Sequence, residues 1–374
     1  MHSNDALFVT KPYLPPREKF DKYLDEIWEI NQLTNHGPLH NRLQEELSGL
    51  FGGSYVTLTA NGHLGLDIAL HVLDITGEVI TTPFSFASTT HALTWLGITP
   101  VFCDVKESDL TIDPNSIEEL ITERTSAILP VHVYGHLCDL ERIDEIAKKY
   151  GLKVIYDAAH AFGVRIDGKN IAAYGDVSMF SFHATKLFHT IEGGALVYRD
   201  TALQRAFEAG KNFGIWDGIY DYIGTNAKMN EFEAAMGLCI LPKLDELIGE
   251  RKLITLQYTE RLSGMKGIRC LTVLDDPRVE HNYAYMPILV DAEILGITRD
   301  ELFDALQKKQ INCRRYFYPL IADYACYKGR FSGMPTPVAA RAAEQVLCLP
   351  IFNGMDSQDV GRVCETIAVC AGFV

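Results

Sequence analysis

Short apolar runs alternate with stretches of helical periodicity along most of the chain. Between residues 55 and 200 the runs have the length of buried strands, and apolar positions in the intervening stretches recur every three or four residues. This alternation predicts a mostly parallel sheet covered by helices on both faces. The predicted strands are Tyr55–Thr59, Val79–Thr82, Pro100–Val105, Ala127–Val133, Leu152–Tyr156, Val177–Phe182 and Ala195–Tyr198. The predicted helices of this region are Gly62–Leu73, Ser116–Thr122 and Asp139–Tyr150.

The two ends of the chain carry further elements. Helices are predicted before the alternating region at Glu18–Ile30 and Leu39–Leu50, and after it at Phe232–Ile240 and from Leu241 to about Leu262. The helix Phe232–Ile240 is so apolar that we expect it to pack on a partner surface. Beyond residue 265 the predicted elements are strands His281–Val290 and Asn312–Phe317 and helices from Thr298 to Gln310, from Thr336-Pro337 and over Ser357–Ala368.

These patterns predict an α/β protein with two domains. Residues 1–250 form a large domain with a helical lead-in and a mixed, mostly parallel sheet, and residues 251–374 form a smaller C-terminal α/β domain. A chain of 374 residues is long enough for such a division.

Composition narrows the class of protein. No run of 18 apolar residues occurs and the first residues lack a secretory signal, so we expect a cytoplasmic protein without a membrane span. The nine cysteines form no Cys-x-x-Cys pair, which indicates reduced thiols and no metal site. A net charge of −15 argues against nucleic acid as a partner. Any anionic ligand must therefore be held by local donors.

The connection between the last two strands of the alternating region carries Lys186. A lysine between two core strands is partly desolvated, which lowers its pKa and frees the amine to attack a carbonyl group. An ordinary loop lysine, with its stem along the surface, is the alternative and would be preferred for an isolated residue.

A second chemical group comes from Asp157, which directly follows the strand Leu152–Tyr156. The carboxyl ends of such strands are where α/β proteins bind ligands. Pyridoxal phosphate (PLP) needs a lysine for its aldehyde and an acid at its ring nitrogen. An aspartate that caps the following helix is a common alternative. Asp157 and Lys186 together favour PLP.

Five segments resemble the DegT/DnrJ/EryC1/StrS family of PLP enzymes, with compatible spacing over nearly the whole chain. They are Thr59-Ala-Asn-Gly-His63, Pro83-Phe-Ser-Phe-Ala-Ser-Thr89, Asp157-Ala-Ala-His160, Ser181-Phe-His-Ala-Thr-Lys186 and Glu192-Gly-Gly194. The resemblance implies a fold-type I PLP-dependent transferase that acts on nucleotide-linked keto sugars. It also implies that Lys186 and Asp157 are catalytic and that both bind the cofactor.

The resemblance implies further cofactor contacts. Gly62, His63 and Ser181 match the family's phosphate site, and a strand-to-helix turn with free N–H groups suits an anion. Relatives usually have a small hydroxyl residue where His63 stands. Phe86 matches a residue that stacks on the pyridine ring, although core packing is its plain alternative. His160 matches a Gln or His near the ring and its O3′, although a structural histidine is the alternative.

Two regions carry candidates for substrate and subunit contacts. Asn226 matches a residue that reaches the neighbour's cofactor phosphate, which implies a homodimer with shared active sites; a loop Asn is the alternative. His183 lies in the lysine signature, and Arg315, Tyr316 and Tyr318 form a basic and aromatic cluster suited to a sugar nucleotide. A solvated strand end would explain the cluster equally well.

The resemblance implies an aminotransferase that moves an amino group, by family habit from glutamate, to a nucleotide-linked sugar for surface polysaccharide (O-antigen) synthesis. The expected substrate is dTDP-4-keto-6-deoxyglucose, aminated at C4, and a 3-keto sugar aminated at C3 is the nearest alternative. A PLP sugar dehydratase would have His in place of Lys186, and a non-catalytic member would be expected to lack Lys186 or Asp157. A nicotinamide enzyme lacks support because no Gly-x-Gly-x-x-Gly follows a strand.

Overall fold

The computed structural model describes residues 6–271, 276–331 and 333–373. Its α-helices are α1 (Arg17–Ile30), α2 (Pro38–Leu50), α3 (Gly62–Val72), α4 (Ala87–Trp95), α5 (Pro114–Ile117), α6 (Leu140–Tyr150), α7 (Ala202–Gly210), α8 (Glu231–Ile240), α9 (Leu244–Leu262), α10 (Ala292–Leu295), α11 (Arg299–Lys308), α12 (Pro337–Gln345) and α13 (Ser357–Cys370). Its strands are β1 (Tyr55–Thr59), β2 (Glu78–Thr81), β3 (Thr99–Phe102), β4 (Thr125–Ile128), β5 (Lys153–Asp157), β6 (Arg165–Ile166), β7 (Lys169–Asn170), β8 (Val177–Ser181), β9 (Gly194–Tyr198), β10 (Ile215–Trp216), β11 (Ile219–Tyr220), β12 (Ile268–Cys270), β13 (Val279–Glu280), β14 (Met286–Val290) and β15 (Val346–Leu349).

The centre of the molecule is a seven-stranded mixed sheet in the order β1-β9-β8-β5-β4-β2-β3. Strands β3, β2, β4, β5 and β8 pair in parallel, whereas β9 runs antiparallel to both β8 and β1. The predicted mostly parallel sheet is therefore confirmed, with one reversed strand inserted beside β8.

Helices cover both faces of this sheet because its strands are apolar on both sides. On β9, Leu196 and Tyr198 pack with residues of α3 and α7, whereas Ala195 and Val197 pack with residues of α2 and α8. Consecutive side chains of a strand point to opposite faces, so the unbroken apolar run of β9 fills two cores at once.

The C-terminal part of the chain builds a second, smaller layer. Strands β12, β14 and β15 form an antiparallel sheet that packs with α9, α11 and α13. Helix α9 connects the two parts: Leu244 and Leu247 belong to the core on the large sheet, and Ile254 and Tyr258 belong to the C-terminal core. The division at residue 250 falls inside this continuous helix and remains a prediction.

The two predicted strands of the C-terminal part differ in the structure, and the predicted strands Pro100–Val105 and Ala127–Val133 are shorter, at Thr99–Phe102 and Thr125–Ile128. Only Met286–Val290 of the segment His281–Val290 is a strand, because Asn282 turns its side chain to the carbonyl groups of His160 and Phe162. The segment Asn312–Phe317 forms an isolated bridge from Arg314 to Cys348 instead of a strand. The partner of that bridge, β15, was not predicted.

The expectation that Phe232–Ile240 needs a partner surface is wrong. Helix α8 packs against α1 and α2 of its own chain, and its residues from Ala234 to Ile240 are buried there. The contact is reinforced by Glu231, which is 1% exposed. Its carboxylate accepts hydrogen bonds from the backbone N–H groups of Leu39 (2.8 Å) and His40 (2.9 Å) in the first turn of α2. A carboxylate at this position also interacts favourably with the helix dipole.

No helix within the described ranges is both long enough and apolar enough to cross a membrane.

The contact of Glu231 with α2 predicts the cost of a side chain at Gly37, the residue before that helix. A Cβ atom at Gly37 would lie 2.4 Å from the Glu231 carboxyl carbon. We expect Gly37→Ala to lower the free energy of unfolding by about 1–3 kcal/mol, the usual cost of overpacking. Chemical denaturation followed by circular dichroism measures this.

The matched control is Gly49→Ala inside α2, where a Cβ meets nothing within 4 Å. Because alanine is the better helix former, this change should stabilise the protein by about 0.5–1 kcal/mol. Equal effects of the two substitutions would contradict the role given to Glu231.

Candidate active site

The carboxyl edge of the large sheet brings the predicted catalytic residues together. Asp157 is the last residue of β5 and lies opposite Met179 of the neighbouring β8. Lys186 lies in the connection that leaves β8 at its carboxyl end and returns as β9. Both side chains line one cavity of about 410 Å³, a volume in the usual range of small-molecule sites.

Most of the other predicted site residues line the same cavity. They are Gly62, His63, Phe86, His160, Ser181, His183 and Tyr316. Residues that were not predicted also contribute to the wall: Asn61, Ser85, Ser88, Val131, Ala159, Met179, Thr185, Glu192, Tyr285 and Phe317.

Lys186 has the lowered pKa expected of an amine that attacks carbonyl groups. Burial lowers its pKa to about 8, although the carboxylate of Asp157 and the hydroxyl of Tyr316 act in the opposite direction. Its Nζ atom donates a hydrogen bond to the hydroxyl oxygen of Tyr285 over 3.0 Å. A substantial fraction of Lys186 is therefore neutral near pH 8, where an ordinary lysine is charged.

Asp157 is held by two hydrogen-bond donors. The Thr89 hydroxyl donates to Oδ2 over 2.8 Å, and the Ala159 backbone N–H donates to Oδ1 over 3.1 Å. Burial raises the pKa of Asp157, and these two bonds together with the charge of Lys186 oppose that rise.

His160 is held in one tautomer. The backbone N–H of Tyr134 donates to its Nδ1 atom over 3.0 Å, so the ring proton lies on Nε2. Burial lowers the pKa of His160 well below its usual value, which keeps the ring neutral. A neutral imidazole with Nε2–H available can donate a hydrogen bond to a ligand oxygen in the cavity.

The part of the cavity wall where α3 and α4 begin is suited to an anion. Helices α3 and α4 both begin at its wall, with Gly62 and Ala87 as their first residues. Unpaired N–H groups and the positive ends of two helix dipoles favour a bound phosphate there. His63 adds an imidazole whose Nδ1 lies 2.8 Å from the Ser88 hydroxyl.

Two glycines allow the chain to close tightly around this end. A Cβ at Gly194 would lie 2.7 Å from the backbone nitrogen of Gly62, and a Cβ at Gly62 would lie 2.8 Å from the Met179 sulfur. Glycine at position 194 therefore lets β9 approach the backbone at the start of α3, and glycine at position 62 lets that turn pack closely on Met179 and Ser181 of β8.

Comparison with known proteins decides the family. The model of the DegT/DnrJ/EryC1/StrS aminotransferase family matches residues 16–368. The chain belongs to this family. Its members depend on PLP, so the protein is a PLP-dependent aminotransferase.

Two named relatives and one solved structure match this aminotransferase over almost its whole length. The dTDP-4-amino-4,6-dideoxy-D-glucose transaminase of Shigella dysenteriae is 43% identical over 362 residues, which are 96% of this chain and 98% of that protein. The Escherichia coli protein of the same name is 40% identical over 365 residues, covering 96% and 97%. The crystal structure of DesI in the presence of its TDP-sugar product superposes with a TM-score of 0.94 at 34% identity, covering 99% and 94% of the two chains.

The chemical groups in the cavity of the aminotransferase fit the cofactor independently of the comparisons. It combines a lysine of lowered pKa, a buried carboxylate for a ring nitrogen, a neutral histidine with a free N–H and two helix N-termini for a phosphate. Within the described residues no group of three or more His, Cys, Asp or Glu side chains is arranged to hold a metal ion.

Three predicted site residues lie outside this cavity. Asn226 is exposed and forms an isolated bridge with Asn212. The side chain of Arg315 forms an ion pair with Asp300 of α11 over 2.8 Å. Tyr318 is exposed. Their proposed roles in binding phosphate or substrate remain predictions.

No pattern in the sequence indicates that Tyr285 belongs to the site. It lies in the irregular segment before β14, where a regular strand was predicted, and Tyr285 contacts Lys186 across 99 positions of the chain. Thr89 stood inside a segment that resembles the family, but nothing in the sequence paired it with Asp157.

The lowered pKa of Lys186 gives a measurable pH dependence. In cofactor-free protein, reductive labelling of Lys186 with PLP and borohydride should accelerate as pH rises and level off above about pH 8, because the neutral amine is the nucleophile. Asp157→Asn should shift this midpoint to lower pH, since the carboxylate of Asp157 raises the pKa of Lys186. Peptide mapping after labelling measures both.

Preferential labelling of another lysine, or labelling of Lys186 that keeps increasing well above pH 8, would show that the assignment is wrong.

Proposed function

We propose that this aminotransferase transfers the amino group of glutamate to C4 of dTDP-4-keto-6-deoxyglucose. The observation that carries the proposal is the meeting of Lys186 and Asp157 in one cavity of a chain 43% identical to a dTDP-4-amino-4,6-dideoxy-D-glucose transaminase. Two relatives that match almost the full chain carry names that favour amination at C4 over amination at C3. Lys186 argues against a dehydratase of the same fold.

When bound, PLP supplies an aldehyde that condenses with amines and a ring that accepts electrons. Lys186 would hold that aldehyde and, once released by the donor amino acid, would move protons as a general base and acid. Its pKa of about 8 suits both roles near neutral pH. The hydrogen bond to Tyr285 would keep the released amine beside the reacting carbon atoms.

Asp157 and His160 would act on the pyridine ring. A carboxylate of Asp157 next to the ring nitrogen favours the protonated form of that nitrogen. His160, with its proton on Nε2, would donate a hydrogen bond to the ring's O3′ atom. Phe86, which is 60% exposed at the wall of the cavity, is the proposed stacking partner of the ring face.

Phosphate binding is assigned to Gly62, His63 and Ser181. Support comes from the N–H groups of the first turn of α3 and from Ser181 at the end of β8 on the same cavity wall. Such local donors are needed because the chain as a whole carries a net charge of −15.

The sugar nucleotide is proposed to contact His183 and Tyr316. The Nδ1 atom of His183 accepts a hydrogen bond from the Thr185 backbone N–H over 3.2 Å, so its Nε2 atom carries the proton near Glu192. An N–H group and a phenol at the wall of the cavity suit sugar hydroxyls. Arg315 and Tyr318 remain candidates for contacts with the nucleotide beyond the cavity.

We further propose a homodimer with shared active sites. The ribbon of β10 and β11 and the segment after it expose large apolar side chains, with Tyr220 at 74% and Ile223 at 81%. Exposed apolar side chains of this size favour burial against another chain. Asn226 follows this segment, and we assign it to the partner's cofactor phosphate.

The biological setting is also part of the proposal. We place the enzyme in the cytoplasm and its product in surface polysaccharide (O-antigen) synthesis. Residues 1–250 are proposed as the cofactor-binding domain and residues 251–374 as the smaller domain, supported by the separate apolar cores of the two parts.

A product assay tests the reaction. The enzyme, PLP and ¹⁵N-glutamate are incubated with dTDP-4-keto-6-deoxyglucose or with the 3-keto isomer, and products are analysed by mass spectrometry and NMR. We expect ¹⁵N at C4 of the first sugar and no product with Lys186→Ala, because that variant lacks the amine that holds the aldehyde and moves protons. Labelling only at C3, or loss of water without nitrogen uptake, would refute the assignment.

Subunit complementation tests the shared site. Lys186→Ala chains should be inactive because they lack the amine that holds the aldehyde. Asn226→Asp chains should be inactive because Asp would repel the phosphate. A mixture shown to exchange subunits should recover about a quarter of wild-type activity, because half of the dimers are mixed and each has one intact site. Activity in the Asn226→Asp homodimer, or no recovery in the mixture, would rule out an Asn226 shared across subunits.

A further inference from the structure

Two hydroxyl groups extend the hydrogen bonding of Asp157 to the cavity wall. The Thr89 hydroxyl lies 2.8 Å from Asp157 Oδ2, and the Ser85 hydroxyl lies 2.7 Å from the Thr89 hydroxyl oxygen. Ser85 itself lines the cavity. The three side chains therefore form a chain of hydrogen bonds that begins at the cavity wall and ends at the carboxylate.

The charge of Asp157, at the end of this chain of hydrogen bonds, determines which hydroxyl group donates in each bond. An ionised carboxylate can only accept, so Thr89 must donate its single hydroxyl proton to Asp157. The remaining contact then requires Ser85 to donate to the Thr89 oxygen. Each bond polarises the next, which strengthens the bond to the carboxylate.

Both hydroxyl groups are shielded from solvent. Thr89 is 0% and Ser85 2% exposed. Thr89 lies in the first turn of α4, and its backbone N–H bonds to the carbonyl of Phe86, so helix geometry limits its position. The β-branched side chain further restricts the direction of the hydroxyl group. Water therefore does not readily replace Thr89 as the donor to Asp157.

We propose that Thr89 is a positioning residue that keeps the Asp157 carboxylate ionised and aimed at the ring nitrogen of the cofactor, and that Ser85 strengthens this bond from the cavity side. The inference rests on the proposed role of Asp157 and adds a residue that acts through it. Burial favours the neutral acid, and a neutral Asp157 would not stabilise a protonated ring nitrogen. Thr89 would thus help to decide the charge of the ring.

Matched variants separate the hydroxyl from the packing of Thr89. Thr89→Val keeps the shape and removes the donor, whereas Thr89→Ser keeps the donor and removes a methyl group. In the holoenzyme carrying PLP labelled with ¹⁵N in the ring, the nitrogen chemical shift is followed from pH 5 to pH 10. This signal reports protonation of the ring directly and does not depend on turnover.

The expected shift follows from the loss of a hydrogen bond to a charged group. Removing it raises the pKa of Asp157 and so lowers the pH at which the ring nitrogen loses its proton, by about one unit or more in Thr89→Val. Thr89→Ser should behave like wild type, and Ser85→Ala should shift in the same direction by less. The kcat of Thr89→Val should fall about tenfold with little change in KM for the sugar nucleotide.

Three results would overturn the inference: no shift in Thr89→Val, equal shifts in Thr89→Val and Thr89→Ser, or no shift in Ser85→Ala. The last result decides the matter even if Thr89→Val fails to fold. Asp157→Asn is measured in parallel. If it lowers the midpoint and Thr89→Val does not, only the role of Thr89 fails; if Asp157→Asn also leaves the nitrogen signal unchanged, the role of Asp157 in the proposed function fails.

Discussion

The reversed direction of β9 is the constraint on which the site depends. A parallel strand after β8 would need a crossover that carries the chain to the far edge of the sheet. Because β9 is antiparallel, the connection from Ser181 to Gly194 stays at the carboxyl edge. That edge also holds Asp157 at the end of β5 and the first turn of α3. This connection therefore places Lys186 at the same edge as Asp157 and the first turn of α3.

Burial then decides the charge of each group at this edge. It lowers the pKa values of Lys186 and His160 and raises that of Asp157, so in each case it favours the neutral form. His160 follows this tendency because its Nδ1 faces the N–H of Tyr134. Asp157 and Lys186 partly oppose it by their mutual attraction. The chemistry of the cavity thus depends on how far specific partners counter desolvation.

Much of this arrangement could be predicted from the sequence. The bounds of β1 were predicted without error, and Lys186 and Asp157 meet because Asp157 ends β5 and Lys186 follows β8, two strands whose carboxyl ends lie at one edge of the sheet. These features depend on local periodicity and on a general rule for parallel sheets. They need no knowledge of which distant segments touch.

The rest depends on contacts between distant parts of the chain. Tyr285 reaches Lys186 from the irregular segment before β14, where Asn282 bonds to carbonyl groups about 120 positions earlier in the chain. Arg315 looked available for a ligand, but Asp300 of α11 lies beside it. Periodicity carries no information on such pairs, so neither was predictable from one sequence.

The tight crossing of Gly62 and Gly194 fixes the cavity wall at Gly62, so the wall differs from place to place in its tolerance to redesign. A Cβ atom at Gly194 would collide with the backbone of Asn61 and Gly62, and a Cβ atom at Gly62 would collide with the Met179 side chain. Elsewhere the wall consists of side chains such as Phe86, His183 and Glu192, which are exposed. A mutant library aimed at other sugars should therefore hold the glycines and the proposed cofactor contacts fixed and vary only exposed positions such as His183 and Glu192, where side chains can change without disturbing the crossing.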